Sequence, residues 1–346
     1  MLRLSILIPF LGDRDSLETT LASVLQNRPD GSEVVVALGR EYDDPYQLDQ
    51  EVRFVPAGGG LVDALNEGFR ACQAPIIHLL SCGASASDGW VDHALEHFRD
   101  RRIASVAPLI VDADEPERVL AAGLEYHPGG ACRQRGRGTS AGGAEEISEV
   151  LIGPSIAGGF YRRAALGEAH CLFDAALGPE FADADLALRL REAGYQTVCE
   201  PSSRVLQPRD KAALVGGFSR ARQAERLFWR HAAANGWRRS LGSHALSVAR
   251  ELVCSLPHPR AATQIAARLL VACEWGHARR QGQRFALPSL IDEQAGQRSD
   301  RQPSNRPGHR LDRPHFNSNI ETHAPGATAL HRPREGAPSP PSGNCL

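Results

Sequence analysis

The sequence predicts a doubly wound α/β fold with a mostly parallel sheet flanked by helices, followed by a helical extension. Short continuous apolar runs recur along roughly the first 200 of its 346 residues, as expected of strands buried on both faces. Between these runs, apolar residues recur at helical spacing and the loops are short. Strands that alternate with helices in this way favour a parallel sheet.

The predicted elements follow in order along the chain. The strands are expected at residues 4–8, 34–38, 52–55, 76–80, 106–111 and 195–199. Helices are expected around Leu17 and Leu21, around Leu61 and Leu65, and after Trp90. Another helix, around Leu186 and Leu190, should end at Gly194, because a helix commonly stops at a left-handed glycine.

The remaining segments predict the domain organisation. Residues 128–144 are rich in glycine and arginine and are expected to form a mobile loop. Residues 212–281 have a wholly helical pattern that Pro257 and Pro259 interrupt. The proline-rich end has almost no apolar periodicity and is expected to be disordered. We therefore predict a catalytic-type domain at 1–210, a helical extension at 211–290 and a disordered tail at 291–346.

Composition excludes several classes of protein. The net charge of −2 gives no general reason to expect a nucleic-acid partner. No stretch reaches the roughly 18 apolar residues of a membrane span, and the opening apolar run is too short for a signal peptide. The eight cysteines include no CxxC pair, which favours free thiols in a reducing compartment. We expect a cytoplasmic protein.

Five stretches, in order, resemble the family 2 glycosyltransferases, which have the Rossmann-like GT-A fold. They are Leu4-Ser5-Ile6-Leu7-Ile8-Pro9, Gly60-Leu61-Val62-Asp63-Ala64-Leu65-Asn66-Glu67-Gly68, Ile76-Ile77-His78-Leu79-Leu80, Gly158-Gly159-Phe160-Tyr161-Arg162-Arg163 and Ala182-Asp183-Ala184-Asp185-Leu186-Ala187-Leu188-Arg189-Leu190. The resemblance spans roughly residues 4–208. It implies a nucleotide-sugar donor at the carboxyl edge of the sheet and a glycan or lipid-linked acceptor.

The sequence departs from this family where the metal normally binds. The family's Asp-x-Asp position reads Ser81-Cys82-Gly83, and the position of a frequent metal-binding histidine reads Leu206-Gln207-Pro208. Mg²⁺ and Mn²⁺ prefer hard anionic oxygen ligands, which these residues do not supply. We therefore name no metal ligand, although the resemblance itself implies Mg²⁺ or Mn²⁺ as cofactor.

Asp183 is the candidate catalytic residue. In inverting members of the family, a carboxylate at this position takes the proton of the acceptor hydroxyl. The alternative is that Asp183 only caps the amino end of its helix. Asp185 is placed on the acceptor side by the resemblance, and its spacing from Arg189 predicts an ion pair along the helix.

The other site residues follow from the resemblance. The donor is expected to contact Pro9, Asn66, Ser81, Gly83, Arg162 and Arg163. The acceptor side is expected to include Gly158, Gly159 and Asp185. Without a metal, the leaving diphosphate needs cations from the protein, because its charge must be stabilised. Further candidates for that role are Arg133, Arg135, Arg137, Arg209 and Lys211.

Arginines and aromatic residues mix in the segment 218–239. A basic amphipathic helix of this kind can lie on an anionic membrane surface, which would place the protein at the inner face of the membrane. The alternative, which we favour, is that the helix packs on the preceding domain.

Two functions remain open from the sequence. The first is an inverting glycosyltransferase, with Asp183 as base and arginines in place of a metal. The second is a degenerate domain that keeps the fold for binding or scaffolding. A nucleotidyltransferase fits poorly. Its first strand should be followed by a phosphate-binding loop rich in glycine and basic residues, whereas here Phe10-Leu11-Gly12-Asp13 follows.

Overall fold

The fold was analysed in a computed structural model of the chain. The structure describes residues 2–142, 151–168, 172–209, 217–232, 236–255 and 260–280. The predicted tail at 291–346 lies outside the described residues. The compact unit extends over Met1–Gly296, and the predicted boundary at residue 210 stays a prediction.

The first half of the chain alternates strands and helices, as the apolar pattern predicts. In chain order the elements are β1 (Leu4–Phe10), α1 (Arg14–Asn27), β2 (Ser32–Leu38), β3 (Val52–Pro56), α2 (Leu61–Ala71), β4 (Ile76–Leu79), β5 (Ser85–Ala86), α3 (Asp92–His97) and β6 (Ile103–Asp112). The two-residue strand β5 has no clear apolar signal, and the sequence did not predict it.

The second half adds short strands and the helical extension. In chain order the elements are β7 (Val119–Ala121), β8 (Leu124–Tyr126), β9 (Cys132–Gln134), β10 (Phe160–Arg162), α4 (Arg163–Glu168), α5 (Gly178–Glu192), β11 (Gln196–Gln207), α6 (Gly217–His231), α7 (Trp237–Ser255) and α8 (Arg260–Arg280). Gly194, with φ of +91°, follows α5 as predicted.

Two predictions for this half are wrong. The segment 128–144 is not a loop throughout, because Cys132–Gln134 forms β9 and pairs with β8 as an antiparallel hairpin. The strand expected to stop at Pro201 continues to Gln207 as β11. A break in its register with β6 between Glu200 and Arg204 accommodates the proline, which has no N–H to donate.

The main sheet is mostly parallel, and the predicted fold class is confirmed. Its strand order is β3-β2-β1-β4-β10-β6-β11-β5, with β7 paired to β6. Strands β3, β2, β1 and β4 are parallel, and β11 is parallel to β6. Strand β10 runs antiparallel between β4 and β6. All four of the parallel strands on one side therefore end at the same edge, which we call the carboxyl edge.

Helices cover both faces of the sheet. On one face, α1 and the Trp90–Phe98 region pack on β1, β2 and β4, with Leu17 and Trp90 almost fully buried. On the other face, α2, α4 and α5 pack through residues such as Leu65 and Leu186. Burying a large apolar side chain contributes about 1.5–3 kcal/mol, so these two layers hold the sheet between them.

His78 lies inside the sheet as a satisfied core histidine. Its Nε2 accepts a hydrogen bond from the indole N–H of Trp90 at 3.1 Å, and its ring stacks on Phe160 with centroids 3.8 Å apart. Burial lowers the pKa of His78 to about 3, so the imidazole is neutral at physiological pH. No helix in the described part of the chain is long and apolar enough to cross a membrane.

Candidate functional site

The candidate site lies at the carboxyl edge, where the chain leaves β4. The N–H of Ser81 donates to the carbonyl of Ala157 at 3.1 Å, and the N–H of Leu79 donates to the carbonyl of Gly159 at 2.8 Å. The segment that leads into β10 is therefore fixed beside Ser81. The structure brings together two of the stretches that the resemblance singles out, including Gly159 of the expected acceptor side.

Gly158 and Gly159 allow this segment to pack closely. A Cβ on Gly159 would lie 2.7 Å from Pro154, and a Cβ on Gly158 would lie 3.3 Å from Ile110. Glycine is needed at the first of these positions because real Cβ atoms do not approach so closely. Whether an acceptor touches either residue stays a prediction.

Gly83 also lies at the carboxyl edge, where its backbone N–H makes hydrogen bonds. Its φ is +83°, and its N–H donates to both the hydroxyl of Thr20 at 2.8 Å and the carbonyl of Ser16 at 3.0 Å. A Cβ on Gly83 would lie 3.7 Å from Pro208. The two stretches in which the family carries its metal ligands, 81–83 and 206–208, are thus neighbours in this fold.

The side chains present there do not fit Mg²⁺ or Mn²⁺. The thiol of Cys82 donates to the carbonyl of Pro9 at 3.0 Å, and burial raises its pKa to about 12, so it stays a neutral thiol. Ser81 offers a neutral hydroxyl, and Pro9 contributes to this edge through a carbonyl that Cys82 occupies. Among the described residues, no group of three or more His, Cys, Asp or Glu side chains is arranged to hold a metal ion.

Asp183 lies in the second turn of α5 and is only 3% exposed. Its Oδ2 accepts a hydrogen bond from the N–H of Ile156 at 3.1 Å, and its Oδ1 accepts one from the N–H of Ala184 at 2.8 Å. Burial outweighs these hydrogen bonds and raises the pKa of Asp183 to about 7. The capping alternative is wrong, because α5 begins at Gly178 with Pro179 in its first turn.

A close contact between glycine and alanine holds α5 against the segment that bonds Asp183. A Cβ on Gly153 would lie 2.3 Å from the Cβ of Ala187, one turn along α5 from Asp183. Since Ile156 follows three residues after Gly153, the helix and this segment can approach only because position 153 lacks a side chain. Asp183 is therefore joined to Ser81 through Ile156 and Ala157.

Asp185 is the centre of an ion cluster that attaches the helical extension. Its carboxylate bonds Arg189 at 2.8 Å, Arg230 at 3.0 Å and His231 at 2.9 Å, and the side chain is fully buried. The predicted pair with Arg189 is present. Burial by itself would raise the pKa of Asp185, but these three partners hold it at about 2. The expected place of Asp185 on the acceptor side is therefore corrected, because partners within the protein occupy its carboxylate.

Asn66 is also used internally. Its amide nitrogen donates to the carbonyl of Phe173 at 2.9 Å, and its amide oxygen accepts from the N–H of Phe173 at 3.0 Å. These two bonds join α2 to the segment before α5. We therefore correct the donor-binding assignment of Asn66, since both polar atoms of its side chain satisfy a backbone.

Arg162 and Arg163 lie at the opposite edge of the sheet. Because β10 is antiparallel, Arg162 pairs with Ile76, where β4 begins. The Arg162 guanidinium donates to the carbonyls of Phe98, Asp100 and Ile103 at 2.7–2.9 Å. The prediction that Arg162 and Arg163 hold the donor diphosphate is therefore corrected.

Arg40 is a further cation at the carboxyl edge, and it is not among the residues that the sequence analysis proposes for the diphosphate. It follows β2 at the carboxyl edge, where Gly39 donates to the carbonyl of Phe10 at 2.9 Å, and a Cβ on Gly12 would lie 3.4 Å from Arg40 Cγ. Arg40 is exposed, and among the described residues it has no acidic partner. A basic residue directly after a predicted parallel strand was the available signal.

The other candidate cations fall into two groups. Arg209 binds Asp112 at 2.7 Å and Glu115 at 3.3 Å, and Arg135 lies 3.7 Å from Glu125. Lys211 lies outside the described residues. Arg133 and Arg137 belong to the β9 hairpin and the turn after it, and both are exposed.

The basic helix α6 packs on the preceding domain, which is the alternative that the sequence analysis favours. Its arginines are paired with acidic residues, and its apolar residues Leu227 and Phe228 are buried. The pairs are Arg220–Glu180, Arg222–Glu274, Arg226–Glu274 and Arg230–Asp174. Membrane contact through 218–239 is therefore corrected for α6.

Comparisons with known proteins bear on the fold alone. No protein-family profile matches the chain, and no curated protein matches it. A solved structure of GalNAc-T7 with UDP, GalNAc and Mn²⁺ is 14% identical, with a TM-score of 0.49, over 65% of this chain and 48% of its own length. The mannosyltransferase PcManGT from Pyrobaculum calidifontis, in complex with GDP-Man and Mn²⁺, is 17% identical, with a TM-score of 0.48, over 77% of this chain and 86% of its own. The chain thus spans about half the length of the first of these two GT-A neighbours.

Proposed function

We propose that the protein is a glycosyltransferase of the GT-A class. It transfers a sugar from a nucleotide-diphosphate donor to a hydroxyl of a glycan or lipid-linked acceptor, with inversion. The observation that carries this proposal is Asp183: a buried carboxylate with a pKa near 7, fixed beside the carboxyl edge through Ile156. A general base is most effective when its pKa lies near the working pH.

The chemistry assigned to Asp183 is a single displacement. The acceptor hydroxyl loses its proton to the carboxylate as its oxygen attacks the anomeric carbon. The bond from that carbon to the diphosphate breaks on the opposite face, and the nucleoside diphosphate leaves. The Asp183 carboxylate accepts the N–H groups of Ile156 and Ala184, and since a carboxylate has about four lone-pair sites it can still accept the incoming proton.

The leaving diphosphate is assigned to Arg40. The loops after β1, β2 and β3 converge at Gly39, where a Cβ would lie 3.0 Å from the carbonyl of Gly58. Gly39 therefore lets these loops pack against one another, and Arg40 follows directly as an exposed residue. A guanidinium binds phosphate oxygens in pairs, which suits Arg40 to the diphosphate.

A degenerate scaffold is the second candidate. It is favoured by the internal use of Asn66 and Asp185 and by the lack of hard ligands at 81–83. It predicts an intact fold that binds no sugar nucleotide.

Calorimetric titration with a panel of sugar nucleotides, with and without Mn²⁺, separates the two candidates. The transferase should bind at least one donor without metal. Arg40→Ala should weaken that binding, whereas Arg163→Ala at the opposite edge is the matched control and should not. If no donor binds to the folded protein under either condition, the scaffold function stands.

Turnover of Asp183→Asn tests the base directly. The variant should bind donor normally but lose turnover, by a factor on the order of 10²–10⁴. Asp30→Asn is the control, since Asp30 is exposed at the opposite end of the sheet, before β2. Unchanged turnover in Asp183→Asn, with a normal fold, would remove Asp183 as base.

A further inference from the structure

A cavity of about 340 Å³ lies beside α5. It is formed by the β8–β9 hairpin together with α5, α6, α7 and α8. Its size falls within the range of about 300–1,000 Å³ that is usual for small-molecule sites. Of the candidate cations described above, Arg133 lines this cavity, whereas Ser81, Arg40 and Asp183 do not.

The charged side chains that line this cavity are basic. Four arginines line it, namely Arg133, Arg220, Arg250 and Arg268, and no Asp or Glu does. Arg220 pairs with Glu180, and Arg268 pairs with Glu225 at 2.7 Å. Arg133 and Arg250 have no acidic partner within the part of the chain that the structure describes, so two positive charges are unbalanced.

One wall of the cavity is fixed in position. His244 stacks on Phe228 with ring centroids 3.7 Å apart, and its ring nitrogens bond the carbonyl of Gly129 at 2.8 Å and the carboxylate of Glu225 at 3.2 Å. A Cβ on Gly129 would lie 2.7 Å from the hydroxyl of Ser247. The hairpin and α7 are therefore packed against each other, and the arginines extend from a rigid frame.

The cavity lies against α5, the helix that carries Asp183. Phe181, two residues before Asp183 on α5, is part of the lining, and so is Cys132 on β9. Burial raises the pKa of the Cys132 thiol, the negative charge of Asp183 raises it further, and the charge of Arg220 lowers it. Cys132 also packs against the buried cluster that includes Phe181 and Ala184, the residue directly after Asp183.

We propose that this cavity binds a phosphate group of the acceptor and so orients the acceptor hydroxyl toward Asp183. The acceptor role rests on the proposed function, whereas the phosphate affinity does not. A phosphate dianion matches the two unpaired guanidinium groups in charge, and its oxygens match their paired N–H donors. A neutral glycan would cover these charges without compensating them.

The phosphate could belong to a soluble phosphorylated compound or to a lipid headgroup. Leu246 and Val253 on α7 are 73% and 69% exposed, and Arg250 lies between them on the same helix. An apolar chain beside the cavity would cover this face. The experiment therefore includes a soluble arm and a vesicle arm.

The soluble arm measures binding of inorganic phosphate by calorimetry. The wild-type protein should bind it, and the Arg133→Ala, Arg250→Ala double variant should bind at least about tenfold more weakly, because charge-assisted hydrogen bonds are lost. Arg137→Ala is the matched control from the same hairpin region and should bind as the wild type does. Phosphate binding that survives the double substitution, or that disappears in Arg40→Ala instead, overturns the proposal.

The vesicle arm measures co-sedimentation with phosphatidylcholine vesicles, with and without phosphatidic acid. Binding that needs phosphatidic acid and both arginines assigns the phosphate to a lipid headgroup. Phosphate binding without vesicle binding assigns it to a soluble acceptor. A chain that binds no sugar nucleotide would refute the proposed function, while the phosphate titration would still report on the cavity.

Discussion

The backbone N–H of Ile156 donates a hydrogen bond of 3.1 Å to Oδ2 of Asp183. This bond joins the helix that carries the candidate base to the segment that runs along the carboxyl edge. Ala157, the next residue, accepts a hydrogen bond from Ser81. The position of Asp183 is therefore set by backbone groups rather than by neighbouring charges, and burial alone raises its pKa.

The pH dependence of turnover should follow the ionisation of Asp183. A base must be deprotonated to accept a proton, so kcat/KM should be low in acid, rise through pH 7 and then level off, since the pKa of Asp183 is about 7. Initial rates measured across this range at acceptor concentrations well below KM would check it. A profile already flat from pH 5 upward, about two pH units below that pKa, would contradict the assignment.

The stability of Asp183→Asn should differ from that of the wild type in a pH-dependent way. The folded carboxyl keeps its proton up to a pH of about 7, whereas the unfolded one loses it near 3.8. Between these values the folded state holds more protons, so the ionisable residue costs stability as the pH rises. As the pH rises over this range, the free energy of unfolding of the variant should increase relative to that of the wild type. The increase should be a few kcal/mol, since each pKa unit corresponds to about 1.4 kcal/mol.

Urea denaturation of both proteins from about pH 4 to about pH 8 measures this difference. The comparison is informative only as a trend, because asparagine cannot accept both backbone hydrogen bonds with its single oxygen. A stability difference that stays constant with pH would show that Asp183 ionises normally in the folded protein.

Gly153→Ala should disturb the base from a distance. Its new methyl would lie 2.3 Å from the Cβ of Ala187, a short side chain that cannot rotate away, so α5 must shift. We expect a loss of about 1–3 kcal/mol in the free energy of unfolding, as for other overpacked sites, together with reduced turnover.

Gly167→Ala is the control for this substitution. Gly167 lies in α4, and a Cβ there meets no atom within 4 Å. Its replacement should leave turnover unchanged and keep or slightly raise stability, since alanine restricts the unfolded chain more than glycine does. Equal behaviour of the two variants would argue against the close packing of α5.

Asp185→Asn should loosen the helical extension. Its removal leaves Arg189, Arg230 and His231 without their shared buried carboxylate, so we expect a loss of about 3–5 kcal/mol. Chemical denaturation would measure the loss. Asp30→Asn, at an exposed site, should stay within about 0.5 kcal/mol of the wild type.

The same cluster predicts how wild-type stability changes with pH. The contribution of Asp185 is present above the unfolded pKa of 3.8 and is lost as the pH falls through about 2. Burial alone would lower the pKa of His231, but its bonds to Asp185 and Glu192 raise it above 6.5. The contribution of His231 is therefore complete below 6.5 and is lost as the pH rises through its raised pKa. His231→Gln should flatten the alkaline side of the stability curve, and an unchanged curve would contradict the assignment.

The sequence predicts most of the strands and helices because the signals for these elements are local. The apolar runs mark β1, β2, β3, β4 and β6, and the helix that carries Asp183 ends at Gly194 as expected. The ion pair between Asp185 and Arg189 follows from helical spacing alone. Features of this kind depend only on residues a few positions apart.

The corrected assignments of Arg162, Asn66 and Asp185 depend on contacts between distant segments. The three residues of β10 do not reveal that the strand is antiparallel, and this direction carries Arg162 to the wrong edge. The pairing of Asn66 with the backbone of Phe173 spans 107 positions, and the pairing of Asp185 with Arg230 spans 45. Pairs so far apart in the chain leave no periodic pattern in the sequence from which they could be predicted.

Strand β10, which runs antiparallel to both of its neighbours, limits the insertions and deletions that the protein can tolerate. Phe160 faces His78 on one side and Val106 on the other, so the register of three residues is fixed from both neighbours. A shift by a single residue would turn every side chain of the strand to the other face. It would also draw Ala157 away from Ser81 and pull Ile156 off the carboxylate it holds. An insertion or deletion between 157 and 160 should therefore abolish turnover long before it unfolds the protein, whereas insertions in the exposed turn at 136–138 should be tolerated.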